Sequence, residues 1–327
     1  MHVLGAVLAV LSAATFALTN ATGRRGVITG TPVQGMVISI PVGLLCFLLV
    51  ALLTGALESL SRISVAALAS LSAAGILHFV IGRYCNFRAS QAAGVNLTAP
   101  VMQLNAVVTL VLAVVVLREP CTILQLFGGI LMVAGSLVTQ RAAQPVVESK
   151  QGNSPTFAPR IAPGFFFASI AALMYGTTPI IVRQALLDVG PLSGLAGGSI
   201  AYAAATVVVT LGLFFPSLRR NVMRVHGDNA RWFVYSGVFV AAAQGLLYSA
   251  LAVAPIMLVA PLLQLSLVFR FLFALLLNPH HELFGAIVVF GSIVSIVGAC
   301  AVSIDTDLIL RTLTLPQALA GILGTKF

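Results

Sequence analysis

Residues 92–117 read AAGVNLTAPVMQLNAVVTLVLAVVVL, without one charged side chain. Nine further runs are comparably apolar: 3–22, 33–54, 64–83, 121–139, 162–184, 192–215, 232–252, 255–277 and 283–303. At a helical rise of about 1.5 Å per residue, each run reaches across a hydrocarbon core of about 30 Å. Strands of a membrane barrel would be shorter and would alternate polar with apolar residues. These runs do not alternate, so they predict helices. Composition removes the soluble alternative: only 8% of the 327 residues are charged, against about 25% in a soluble domain.

The net charge of +9 is spread singly or in pairs between the runs. That layout suits loops facing an anionic bilayer surface and gives no nucleic-acid patch. The first twenty residues lack the basic segment of a secretory signal, so they read as a first spanning helix. Cys46, Cys85, Cys121 and Cys300 lie far apart. They predict small buried or interfacial hydrophobes and no metal site or disulfide framework.

One segment is written twice. LTAPVMQLNAVVT at 97–109 returns as LVAPLLQLSLVFR at 258–270, with Pro100 on Pro261 and Gln103 on Gln264. Around it, Ala113 matches Ala274, Gly128 matches Gly291 and Gly135 matches Gly298. Tyr84 and Tyr248 hold similar places, and so do Arg24 and Arg183. The order of features describes a duplication with five helices per copy. An odd number forces the second copy to enter the membrane from the opposite side. The expected fold is therefore an all-α membrane protein of ten transmembrane helices in two inverted five-helix repeats. Such pairs serve alternating access in secondary transporters. The expected divisions are a first repeat over 1–140, a polar linker over 141–161, a second repeat over 162–303 and a short tail over 304–327.

With Pro100, Arg118-Glu119, Gly128 and Gly135 in one half, and Tyr248, Pro255, Pro261, Gly291 and Gly298 in the other, the chain resembles the EamA-type branch of the drug/metabolite transporter superfamily. The turn Asn278-Pro279-His280-His281-Glu282 departs from that family's compact glycine-glutamate turn. The resemblance implies ten helices and a transporter without choosing the cargo. It also implies that both termini lie in the cytoplasm. The arginine bias between loops favours the opposite orientation.

Candidate site residues follow from polar groups inside apolar runs. Pro100 and Pro261 each release a helix carbonyl, and their matched places suggest paired kinks that gate a central cavity. Gln103 and Gln264 follow three residues later. Asn105 and Thr109 share one helix face, as do Ser266 and Arg270. Arg270 is the sharpest signal, because a central arginine costs about 2.5–3.5 kcal/mol on insertion scales and suits bidentate capture of a carboxylate. His78, Tyr175, Tyr248 and Asn20 extend the candidate set. The eight acidic residues all lie outside the apolar cores, which argues against a cation–proton exchanger.

No phosphate-binding loop, catalytic triad or metal motif is present, so no cofactor, ATPase partner or enzymatic reaction is expected. The expected function is secondary transport or export of a small anionic or zwitterionic metabolite, an amino acid or organic acid, across a bacterial inner membrane. A non-transporting receptor or scaffold and a membrane-embedded enzyme are the alternatives.

Overall fold

A computed structural model describes residues 2–118, 121–150, 159–186, 193–253, 262–282 and 285–303. The first half comprises α1 (His2–Thr29), α2 (Pro32–Leu53), α3 (Val65–Gly75), α4 (Arg83–Ala93), α5 (Val95–Met102), α6 (Asn105–Leu117) and α7 (Ile123–Lys150). The second comprises α8 (Ile161–Leu186), α9 (Ser193–Gly212), α10 (Pro216–Met223), α11 (Gly227–Val253), α12 (Ser266–Leu277) and α13 (Ala286–Ser303). Among the described residues, six spans are long and apolar enough to cross a membrane: Val3–Thr29, Pro32–Leu53, Val65–Ala93, Val95–Val116, Ile161–Val182 and Gly194–Gly212. Shorter apolar helices cover Ile123–Thr139, Ser266–Leu277 and Ala286–Val302. The chain is thus an all-α, multi-span membrane protein. Leu45, Val115, Phe166 and Phe290 are among the large apolar side chains left on its outside, where lipid replaces water.

Two expected boundaries move. The first helix runs to Thr29 rather than 22. The third does not stop at 83: α3 passes through a π-geometry turn at Ile76–Gly82 straight into α4. Arg24, Arg83 and Arg88 therefore sit in helices, and Arg24 and Arg83 are buried. Counting those two as loop charges was wrong. The backbone of α7 also stays helical to Lys150, into the stretch read as linker.

Small residues set the helix pairing. α7 crosses α13 at two glycine pairs. A Cβ added at Gly128 would lie 2.7 Å from the Gly298 carbonyl oxygen, and one at Gly135 would lie 2.5 Å from that of Gly291. Such close approach is how helices associate where lipid removes the hydrophobic drive. Gly198 packs beneath Phe47, whereas Gly194 faces open space. α1 packs along α11, where Ser12 Oγ donates to the Ala243 carbonyl at 2.8 Å.

Each helix end must still satisfy its amides. At α2 this is local: Thr31 and Gln34 exchange reciprocal side-chain bonds of 3.2 and 2.9 Å, with Pro32 opening the helix. α5 has no cap of its own. Its cap comes from far along the chain. The Glu282 carboxylate accepts from Val95 N at 2.9 Å and Asn96 N at 3.0 Å. The same carboxylate pairs with Arg24 Nε at 3.3 Å. Arg24 also donates through Nη1 to the Ser90 carbonyl at 2.6 Å, near the end of α4. Gly94, at φ +83°, makes the corner between the two helices, and a Cβ there would stand 2.5 Å from the Glu282 carboxylate. Glu282 is buried, which corrects its reading as a residue outside the apolar core.

Glu282→Gln should therefore cost about 3–5 kcal/mol, the usual penalty for breaking a buried ion pair by removing one partner. Arg24→Gln/Glu282→Gln should cost less than the sum of the single variants. Thermal unfolding of the four proteins in one detergent measures both.

Candidate functional site

Two helices are interrupted in the same way. α5 gives way to α6 through a turn at Gln103-Leu104, and α12 begins after a turn at Gln264-Leu265. Leu104 N donates to Val101 O and Ala106 N to Gln103 O, each at 3.1 Å. Leu265 N donates to Leu262 O and Leu267 N to Gln264 O, again at 3.1 Å. All four bonds reach three residues back instead of four. Pro100 lies inside α5, with the interruption just beyond it. Pro261 lies outside the described residues.

The turns adjoin a cavity of about 260 Å³. α6 and α12 present Asn105, Ser266 and Arg270 to it, and the turns present Gln103 and Gln264. α1 supplies Asn20, the π turn supplies His78, and α8 supplies Tyr175. Eight of the ten candidate binding residues thus meet in one place. The sequence reading missed Arg83, Asn86 and Thr19, which also line the cavity. Arg83 and Asn86 had a weak signal: they lie in a polar stretch that reads as a loop unless the helix is known to continue.

Thr109 is not part of the lining. Its hydroxyl bonds the carbonyls of Asn105 at 3.0 Å and Gly176 at 2.8 Å, tying α6 to α8. A hydroxyl one turn below a break serves the exposed backbone first. The Tyr248 side chain lies outside the described residues.

Several polar groups of the lining are already committed. Arg83 donates from Nε to Ser39 Oγ at 2.8 Å and from Nη2 to Ser236 Oγ at 3.0 Å. Its guanidinium stands 5.0 Å over the Phe87 ring. Asn86 Nδ2 donates to Asn20 Oδ1 at 3.0 Å, and Asn20 Nδ2 to the Phe16 carbonyl at 2.9 Å. Three are not committed. Arg270 Nε, Gln103 Nε2 and His78 Nδ1 are buried and have no hydrogen-bond partner among the described residues. The His78 ring instead packs against Tyr175, with centroids 4.5 Å apart. Buried polar atoms are rarely left unpaired, so three around one cavity mark a place for a polar guest.

No carboxylate lines the cavity. Among the described residues, the ion pairs are Arg24–Glu282 and Arg231–Asp228, both elsewhere. A smaller void of about 60 Å³ shares His78, Phe79 and Gln244 with the main cavity. Phe79 stacks on Tyr202 there at 3.8 Å between centroids. Among the described residues no cluster of histidine, cysteine and acidic side chains could hold a metal.

Comparison with known proteins bears on the first half and on the fold. Residues 3–140 match the model of the EamA-like transporter family. No curated protein sequence matches the chain. One solved structure, titled only as the crystal structure of a protein, superposes with a TM-score of 0.56 at 16% identity. The alignment covers 95% of this chain and 99% of that one. At that identity the likeness bears on the fold alone.

Because Thr109 serves the backbone, Thr109→Val should lower stability by about 0.5–1.5 kcal/mol, the net worth of an ordinary hydrogen bond. Solute affinity should be unchanged. Thermal unfolding and equilibrium binding on the same preparation measure the two.

Proposed function

We propose that this protein is a secondary transporter of small metabolites bearing an acidic group, working by alternating access in a bacterial inner membrane. The observation that carries the reading is the cavity itself. It lies beside two matched helix interruptions and presents uncommitted donors with no carboxylate among them. The match of residues 3–140 to a transporter family supports transport as the activity.

In this reading the chain crosses the membrane ten times, as two five-helix repeats of opposite orientation. Support comes from the repeated segment at 97–109 and 258–270, and from the matched turn bonds on Leu104 and Leu265. Interrupted helices at membrane depth are tolerated where they face protein or a polar cavity, and transporters place solute sites at such points.

Arg270 binds the acidic group. Its planar fork suits a carboxylate, and burial away from any carboxylate leaves its charge to be met by the solute. Gln103 Nε2 adds a neutral donor, while Ser266 and Asn105 orient the remaining polar atoms. Pro100 weakens its helix beside the cavity, so the half-helices on either side of the Gln103-Leu104 turn can tilt as access alternates, and the sequence repeat assigns the matching part to Pro261. Solute gradients supply the energy.

Reconstituted protein should accumulate an acidic solute in liposomes without ATP. Arg270→Ala should lower that uptake by about tenfold or more, in line with losing a charge-assisted pair, while a neutral analogue changes little. Equal uptake of acidic solutes by both proteins, with folding verified by gel filtration, would defeat the assignment. Pro100→Ala should slow uptake by more than it reduces the yield of folded protein. A parallel loss of both would make the proline purely structural.

A further inference from the structure

Arg270 is not the sole cation at the cavity. Arg83 lines it too, although it comes from a different helix. Tyr175 lines the same cavity as both guanidiniums. Neither arginine has a carboxylate partner among the described residues. Two cations thus share one low-dielectric space with no counter-charge.

The two are held differently. Arg83 is buried, with Nε and Nη2 fixed by Ser39 of α2 and Ser236 of α11. That leaves Nη1 as the edge without a protein acceptor among the described residues. Serine hydroxyls and a backbone carbonyl orient the guanidinium but bring no negative charge. Such an arginine is preorganised rather than neutralised. Arg270 Nε has no hydrogen-bond partner among the described residues. A lining that only needed to hold one carboxylate would not require a second unneutralised guanidinium, since each buried cation is costly.

We propose that the cavity takes a small solute with two negative charges, one met by Arg270 and the second by the free edge of Arg83. This deepens the acidic-solute reading above and rests on it. It also narrows the class. The ammonium group of an amino acid would find no carboxylate in the lining and would stand beside two guanidiniums. A dicarboxylate or a phosphate monoester would find a donor for each charge, with Gln103 and Asn86 near its polar middle.

Equilibrium binding to the purified protein tests this with four probes: succinate, butyrate, glycerol phosphate and γ-aminobutyrate. Succinate should bind about tenfold or more tighter than butyrate, which has the same carbon count but one charge. γ-Aminobutyrate should bind more weakly than butyrate. Arg83→Gln should erase the advantage of succinate by weakening succinate much more than butyrate, whereas Arg270→Gln should weaken both. A preference confined to glycerol phosphate would support the two-charge requirement and place both charges on one group. Equal binding of succinate and butyrate to the wild type, together with weak glycerol phosphate binding, would overturn the proposal while leaving Arg270-dependent binding of a single carboxylate intact. Equal weakening of succinate and butyrate by Arg83→Gln would also overturn it, making Arg83 a structural crosslink. Loss of any Arg270-dependent binding of acids would remove this proposal and the acidic-solute reading together. If Arg83→Gln does not fold, Arg83→Lys and the wild-type succinate-to-butyrate ratio decide the question.

Discussion

A helix end buried away from water exposes amides and carbonyls that need partners. This protein interrupts its backbone at Gly94, and one buried ion pair answers the cost. Arg24 takes carbonyls at the end of α4, and Glu282 takes amides at the start of α5. Each charge also faces the helix end whose dipole it complements. The pair draws three distant stretches to one corner: α1, the α4–α5 junction and the turn before α13. With the corner set, α5 runs for eight residues, about 12 Å at the helical rise, and delivers Gln103 to the cavity.

The cavity depends on that placement and on close packing elsewhere. Glycine pairs lock α7 to α13 with backbone almost touching backbone. Serines and threonines bond carbonyls of their own or neighbouring helices, as Ser236 does with the Thr19 carbonyl at 2.9 Å. Most polar groups are consumed in this way. Arg270 Nε, Gln103 Nε2 and His78 Nδ1 are buried without a partner among the described residues, and their convergence on one cavity links packing to function. A rigid frame with a few unsatisfied donors recognises a guest through the bonds the frame itself cannot make. The π turn carrying His78 belongs to the same logic, because it shifts the ring out of the regular α-helical register and toward Tyr175.

Much of this was legible in the sequence. Long uncharged runs could only be membrane helices, because a backbone without water must bond within itself. The repeat carrying Pro100 and Pro261, Gln103 and Gln264, pointed to the interrupted helices and to Gln103, Asn105, Gln264, Ser266 and Arg270 of the lining. Asn105 and Arg270 could be assigned because helical spacing continues the polar strip beyond the glutamines, with Arg270 one turn past Ser266 on the same face. The glycines at 128, 135, 291 and 298 could be assigned to packing because lipid leaves small-residue contact as the means of association.

Tertiary structure alone decided which charges are inside and what they do. Arg83 and Arg88 flank Tyr84 in a polar stretch, and sequence cannot tell a buried polar helix from a loop, since hydropathy averages over all faces. Glu282 reads as a turn carboxylate until Val95 and Asn96 are brought to it from almost two hundred residues away, and Arg24 from further still. Thr109 matches Arg270 in register, yet its hydroxyl closes on the Gly176 carbonyl because α8 passes there. Periodicity sets where a side chain stands on its own helix. Its partner is set by which other helix passes that face, and that is a property of the assembled bundle.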